Sequence, residues 1–559
     1  VRSLRALGLY AVLTVVLTWP FVLNLRVVDP GDSALFTWEV GWTAHALKTD
    51  PASLPHGNFF HPLRYTLGLC EPVLGTTLLV LPLAVFTDDA VLLYNVVRLL
   101  TFLFSALAAY WLARELGAGE WAALLGGALF AFSPIRTDQL AHLHTLGTQW
   151  LPLVVLFGVR FSRSGRTRDA LLAGLAYALA FAASGYHGLL ALAVLPPAFL
   201  VLLWGRWRRL PKAALGVALA GLLLLPLYRL HTRAADQESF TRGTEETLQG
   251  SAPLEAFLAT SRANWIYGEV ADAFRTVGPN NLFPGLMIPA LVIGGAAVRW
   301  RRGDRPGREA VSLAVMAVVA GLVALGPEIR AFGHTLGPGP WALLRDTVPA
   351  FEMLRVPSRA GIFLALPLAM LAAMALTVLR PRPVVGALVG AVALAETLIV
   401  PIQMPQWTKI VDTRGPPPPV YRWLAEQPGR DVVVHLPIWD DRSMERRPAF
   451  HETIYMVYST RHWKPMVNGW AGFEPRGYAR IRAKMMEFPS EEFLDLLREV
   501  GVRYIVVHRA GYGPHQWRRY QAQWAQRRPG SLRELVALEG DTVYELRPRP
   551  GPPTSPPPE

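Results

Sequence analysis

Long apolar runs, interrupted by short arginine clusters, set the first expectation for this chain. The runs lie at about 5–24, 96–113, 121–134, 150–160, 169–186, 189–204, 213–228, 284–298, 310–326, 360–379 and 384–401. Roughly 20 apolar residues cross the hydrocarbon core as a helix, and several of these runs approach that length. The pattern predicts a mostly α, polytopic membrane bundle of about 11 spans. The clusters "RFSRSGRTR", "GRWRRLPK", "RWRRGDRPGR" and "RPRP" follow the fourth, sixth, eighth and tenth runs. All four therefore share one side, which their positive charge marks as cytoplasmic. The N-terminal "VRSLR" then faces the cytoplasm, and whatever follows the eleventh run lies outside. No small-residue cleavage site follows the first run, so it reads as a retained anchor.

One apolar segment, 73–86 ("VLGTTLLVLPLAVF"), breaks this parity. As a full crossing it would place the later arginine clusters outside. It is therefore expected to re-enter or lie in plane within a long first outer loop (about 25–95). The competing reading is that it crosses and a weaker run does not. Non-helical backbone at that depth has to be buried in protein or line a watery cavity, because lipid offers it no hydrogen bonds.

Beyond residue 404 the period changes. "RGPPPP" reads as a linker or rigid turn. Helix-like "VYRWLAEQ" precedes strand-like "DVVVHLPI", and "SEEFLDLLREVG" precedes "VRYIVVHR" and "TVYELR". This alternation predicts a small extracytoplasmic α/β domain over 405–559, ending in a disordered proline-rich tail. The multi-pass part is expected over 1–404. No repeat of fixed period is evident, which argues against an inverted-repeat transporter.

Composition sharpens the class. The chain has 559 residues, 52% of them hydrophobic and only 17% charged, too apolar for an ordinary soluble protein. The net charge of +13 sits in clusters between apolar runs, so it reads as membrane topology rather than nucleic-acid binding. Arginine largely replaces lysine, which fits a GC-rich bacterial genome and hence a cytoplasmic (inner) membrane. The single cysteine, Cys70, leaves no disulfide framework and no cysteine metal cluster. "LGGALF" reads as packing glycine, so no nucleotide-sugar site is indicated.

With this topology the unusual polar residues sort to the outer side. The first outer loop carries Asp29, Asp32, Glu39 and His45. The next, "SPIRTDQLAHLHTLGTQW", carries Arg136, Asp138, His142 and His144. Tyr186, His187, Arg229, His231, Glu328 and Arg330 follow at outer span ends, and "EMLRVPSRAG" brings Glu352, Arg355 and Arg359. Ionisable groups near a membrane core are costly, so each is a functional candidate. Their collection at one interface implies a cavity opening outward at the lipid surface.

This layout resembles the GT-C superfamily of integral-membrane glycosyltransferases, which draw a sugar from a polyprenyl-phosphate carrier. The resemblance covers roughly residues 1–404 and extends to the appended outer α/β domain. Asp32 matches the family's acidic position near the start of the first outer loop, and "FSPIRTD", ending in Asp138, matches the acid of the next. The family often has two adjacent acids in its first loop, whereas Pro30 and Gly31 separate Asp29 from Asp32 here. Which of the two is the base therefore stays open. "RVPSR" looks like a segment of uncharacterised bacterial membrane proteins of this type.

Sugar transfer needs a carboxylate to take a proton from the acceptor hydroxyl. It also needs cations to neutralise the departing lipid phosphate, which arginine forks meet bidentately. The resulting expectation has Asp32 as base with Asp29 as rival, Arg355 and Arg359 as phosphate clamps, and Arg229 as helper. Asp138 and Glu39 would hold acceptor or sugar hydroxyls, and His142 or His187 phosphate or sugar. Asp29, Asp32 and Asp138 are also the oxygen donors that Mg²⁺ or Mn²⁺ takes, so metal dependence stays open. The bland readings stand beside these. Asp32 is a good N-cap, Asp29 a turn residue, and Asp138 a surface partner of Arg136. His142 and His144, at i and i+2, would fall on opposite sides of a helix. Arg355 and Arg359 would anchor headgroups, and Trp38 and Trp42 would sit in the interfacial belt or stack on sugar.

Two functions compete. One is transfer from a polyprenyl-phosphate-sugar donor to a glycan, lipid or protein acceptor on the outer side of the membrane, without nucleic acid. The other is a non-catalytic protein or transporter of lipid-linked glycans. A transporter would carry polar residues at midplane and on both faces, whereas runs such as 169–183 are apolar throughout.

Overall fold

A computed structural model describes residues 2–238, 244–274, 281–402, 411–438, 449–527 and 529–548. Each expected run coincides with a helix. In chain order these are α1 (Arg2–Leu17), α3 (Ala90–Glu115), α4 (Glu120–Ala131), α5 (Leu151–Ser164), α6 (Thr167–Ala183) and α7 (Gly185–Leu203). α8 (Leu210–Gln237), α9 (Met287–Arg301), α10 (Arg308–Ala324), α11 (Gly361–Leu379) and α12 (Pro383–Ala395) complete the series. α2 (Asp32–Thr49) lies in the first outer loop. Among the described residues, four helical stretches are long and apolar enough to cross a bilayer: Ala90–Glu115, Gly185–Leu203, Trp207–Gln237 and Pro357–Leu379. The protein is thus a membrane protein with a mostly helical fold. Helices such as α4, with 12 residues, rise only about 18 Å, short of the roughly 30 Å hydrocarbon core.

The 73–86 segment does not form a crossing helix. It breaks into two single turns, Leu74–Thr77 and Leu81–Ala84, with proline in the first turn of the second. Its backbone is held by protein, as the Trp150 indole donates to the Gly75 carbonyl at 3.0 Å. The "GG" of α4 is packing glycine. A Cβ on Gly127 would lie 2.2 Å from the Tyr10 hydroxyl and 2.6 Å from the Ala106 carbonyl.

Three of the four arginine clusters meet at one end of the bundle. Arg163 pairs with Glu309 at 3.0 Å, Arg308 donates to the Trp204 carbonyl at 2.8 Å, and Arg206 and Arg209 both reach the Ser162 carbonyl. Trp111 donates to Ser3 at 3.3 Å, so the N-terminus belongs to the same end. The C-terminal ends of α4 and α6 and the N-terminal ends of α7 and α11 lie at the other.

There the first outer loop and the C-terminal part interlock. β1 (Val27–Val28) pairs antiparallel with β2 (Val411–Asp412). A four-stranded sheet follows, ordered β3–β4–β6–β5: β3 (Val432–Leu436) is parallel to β4 (Val502–His508). β6 (Asp541–Leu546) is antiparallel to both β4 and β5 (Leu532–Leu538). β3 is buried along its whole length, as a strand covered on both faces must be. Beside it, Val433 bridges to Met466. Residues 58–61 continue the pairing, since Met466 N donates to Asn58 O at 2.8 Å and His61 N to Met466 O at 2.9 Å. The helices α13 (Pro419–Glu426), α14 (Ala449–Ser459), α15 (Arg476–Lys484), α16 (Glu491–Glu499) and α17 (Pro514–Arg527) surround this sheet. The expected helix–strand alternation is present, with β5, α14, α15 and α17 as additions. The proline-rich tail lies outside the described residues.

Trp38 and Trp42 are neither belt nor sugar platform. Both are buried in the core between α2 and the C-terminal part, stacked with centroids 5.8 Å apart. Trp38 donates to Asn58 at 2.9 Å and Trp42 to the Leu54 carbonyl at 3.0 Å. Their amphipathic rings satisfy a protein interface rather than a lipid one.

Candidate functional site

Between α2 and the C-terminal part lies a cavity of about 300 Å³. α2 begins after Gly31, which takes φ +88° as its N-cap without a side-chain capping bond. Asp32 is therefore the first helical residue rather than the cap, and its carboxylate is left for the cavity. His142 Nε2 lies 3.0 Å from Asp32 Oδ2. Burial pushes the Asp32 carboxyl up, but His142, Arg359 and Arg355 outweigh it and hold the group below the ordinary carboxylate value. Asp32 is thus ionised at neutral pH with an oriented partner.

Arg355 and Arg359 line the same cavity. Pro357 prevents a regular helix through both: Val356 is non-helical (φ −127°, ψ 78°) and Pro357–Ala360 forms a 3₁₀ turn. The Arg359 guanidinium stacks over Tyr186 at 4.3 Å, and Tyr186 accepts from the Arg355 backbone N–H at 3.2 Å. Among the described residues, no carboxylate lies within ion-pair distance of either arginine. His142 and His144 both line the cavity, contrary to the helical spacing argument, with rings edge to face at 5.8 Å. The reason is local. His142 precedes the single turn Leu143–Leu146 with φ −106° and ψ 82°, so no helix contains both.

Other expected residues lie elsewhere. Asp29 is outside the lining; burial raises its carboxyl to about 6 against the pull of Arg98. Glu39 is buried on α2 and raised, first by burial and then by Glu71. His187 is buried on α7 beside Phe363. Arg229 is exposed on α8. Asp138 closes the turn Pro134–Thr137, while Arg136 is fully buried and bonds the Leu146 carbonyl at 2.9 Å and Ser105 at 3.3 Å. Neither lines the cavity. Among the described residues no three His, Cys, Asp or Glu side chains form a set that could hold a metal ion, so Asp29, Asp32 and Asp138 are not gathered as one oxygen site.

The sequence matches the model of a domain of unknown function, DUF6311, over residues 73–397, more than half of the chain. The chain belongs to the DUF6311 family. Among curated proteins, none matches it by sequence. Among solved structures it resembles the arabinofuranosyltransferase AftD from Mycobacteria, with a TM-score of 0.55 at 14% identity, covering 98% of this chain and 40% of AftD. It thus spans well under half the length of that protein. The archaeal oligosaccharyltransferase AglB from Archaeoglobus fulgidus gives a TM-score of 0.46 at 12% identity over 90% of this chain and 69% of AglB. ArnT from Cupriavidus metallidurans gives 0.40 at 12% over 96% and 97%. By its likeness to AftD the chain has a GT-C-like fold, as its loop layout implied.

The DUF6311 match includes His142, Arg355 and Arg359 but begins after Asp32. The cavity also holds residues the sequence reading passed over: Glu71, Glu452, the loop Gly469–Glu474, Tyr478 and Arg482. Glu71 accepts from the Gly185 backbone N–H at 2.9 Å. Its carboxyl is raised by burial, against His231 and Arg359. The glycines of "NGWAGFEPRG" were the available signal for the loop, but nothing local ties them to Asp32, more than 400 residues away.

Proposed function

We propose that this chain transfers a glycosyl group from a polyprenyl-phosphate-linked donor to an acceptor on the outer side of a bacterial cytoplasmic membrane. The observation that carries the reading is one cavity in which an ionised, His142-bonded Asp32 faces Arg355 and Arg359. The acceptor hydroxyl attacks the anomeric carbon as Asp32 takes its proton, and His142 fixes the carboxylate's orientation. The bond from the anomeric carbon to the phosphate oxygen breaks, and the lipid phosphate leaves with its charge met by the two guanidinium groups. A bilayer-embedded donor also needs a path for its chain. An apolar groove of about 330 Å³, lined by Leu67, Leu179, Leu224 and Leu227 among others, runs between α6 and α8. Leu67 lies in that groove and Cys70 and Glu71 in the cavity, so a lipid chain and its phosphate fit on either side of one short stretch. The arginine-rich end of the bundle faces the cytoplasm in this reading, and residues 405–559 form the extracytoplasmic α/β domain.

The test is Asp32→Asn in proteoliposomes, following release of polyprenyl phosphate from synthetic polyprenyl-phosphate arabinose, mannose and glucose. Loss of a general base lowers the rate about 10²–10⁴-fold. Turnover near the wild-type rate removes Asp32 from the chemistry and the proposal with it.

A further inference from the structure

The cavity has a second wall, supplied wholly by the C-terminal part: Glu452, Gly469–Glu474, Tyr478 and Arg482. It is built rather than incidental. Phe60 N donates to Asn468 O at 3.1 Å and Gly472 N to Leu69 O at 3.2 Å, so the first outer loop holds this loop at both ends. Gly469 is required by proximity: a Cβ there would lie 2.7 Å from Phe59 and 2.8 Å from Phe60. Glu452, 3% exposed, accepts from Asn468 Nδ2 at 3.1 Å and from the Gly469 N–H at 3.2 Å.

The chemistry of this wall differs from that of the arginine wall. Arg482 is engaged by Glu474, with Nε 2.6 Å from one carboxylate oxygen and Nη2 donating to the other at 2.9 Å. Burial raises the Glu452 carboxyl to about 8, against Asn468, Gly469, Tyr478 and Arg482, so it is uncharged at neutral pH. The wall is therefore neutral but rich in planar polar groups. It also presents half-buried Trp470 and Phe473 beside the small residues Ala471 and Gly472. Among the described residues of this lining the charges are paired (Arg482 with Glu474) or neutralised (Glu452), so a charged headgroup or phosphate is not favoured here. A sugar ring finds an aromatic face for its C–H side and fixed donors and acceptors for its hydroxyls.

We propose that the 469–482 wall is the acceptor subsite and that it takes a neutral carbohydrate, the end of a glycan chain. This rests on the glycosyl-transfer reading, with the phosphate of the donor on the Arg355/Arg359 wall. The acceptor hydroxyl then enters from the C-terminal side and meets Asp32 between the two walls.

The experiment uses the full chain in lipid nanodiscs with two probes: undecaprenyl phosphate, and an array of neutral oligosaccharides that also carries peptides and anionic glycolipids. Wild type is expected to bind neutral glycans. Phe473→Ala and Trp470→Ala should each weaken that binding about tenfold, while undecaprenyl phosphate affinity stays within about twofold. Retained phosphate-lipid binding also shows that the variants are folded. The inference is overturned if wild type binds no neutral glycan, if it selects peptides or anionic glycolipids instead, or if both variants bind glycans as wild type does. Failure of wild type to bind undecaprenyl phosphate overturns the underlying reading separately.

Discussion

The two walls of the cavity hold the same kinds of residue and use them differently. On the membrane side, Arg355 and Arg359 have no carboxylate within ion-pair distance among the described residues; of the acids that share this side of the cavity, Asp32 is bonded to His142 and Glu71 to the Gly185 N–H. On the C-terminal side, Arg482 is ion-paired with Glu474, and burial keeps Glu452 protonated. Arg355 is exposed and Arg359 half-buried, so the first wall leaves two guanidinium groups open to an anion, as the proposed phosphate would be. The second is already balanced, and a ligand adds hydrogen bonds and stacking rather than charge. In the proposed reaction each wall meets a different half of the transfer.

Removing the unpaired charge should break this contrast most severely. A hydrogen bond to a charged group contributes about 1.5–3 kcal/mol, so Arg355→Ala with Arg359→Ala should weaken undecaprenyl phosphate binding about a hundredfold or more. Titration in nanodiscs at fixed ionic strength reads this directly. Equal affinity in the double variant would show that the phosphate binds elsewhere. A milder change sharpens the point. Arg359→Lys keeps the charge but loses the fork and the stack over Tyr186, which predicts a loss of about tenfold. Full retention would mean that only charge matters, and that the ordered geometry of the "RVPSR" turn is irrelevant to the ligand.

The difference between the walls also explains what the sequence could reveal. Apolar runs and arginine clusters report on the solvent, so the long apolar helices were legible, as was the absence of one spanning helix over 73–86. Asp32, His142, Arg355 and Arg359 stood out because polar residues at a membrane edge are rare. Charge alone could not rank them. Asp29 and Asp32 read alike until Gly31, at positive φ, took the N-cap position and left Asp32 uncapped. The separation of His142 from His144 assumed a helix that is not there. The second wall was illegible because Glu452, Glu474 and Arg482 sit in an ordinary polar segment, where such residues are common. The pairing of 58–61 with 466–468, the Gly472–Leu69 bond and the Gly31–Thr453 bond bring them to the site. Trp38 and Trp42 were misplaced for the same reason, since the surface that buries them comes from the far end of the chain.

The smallest expected effect tests the neutrality of the second wall. Glu452 has a folded value of about 8 against an ordinary 4.5, raised chiefly by burial. Below about pH 4.5 the carboxyl is protonated in both folded and unfolded chains, and its protonated form contributes fully to stability. Between there and about pH 8 the unfolded chain releases the proton and the folded one keeps it, so stability falls as pH rises; above that it levels off. Glu452→Gln imitates the protonated state at every pH. The apparent melting temperature of the variant in nanodiscs should therefore match wild type near pH 5 and exceed it by a few degrees near pH 8. A gap that stays constant from about pH 5 to 9 would mean that Glu452 is ionised throughout. The C-terminal wall would then carry a negative charge, and its distinction from the arginine wall would be one of sign rather than of neutrality.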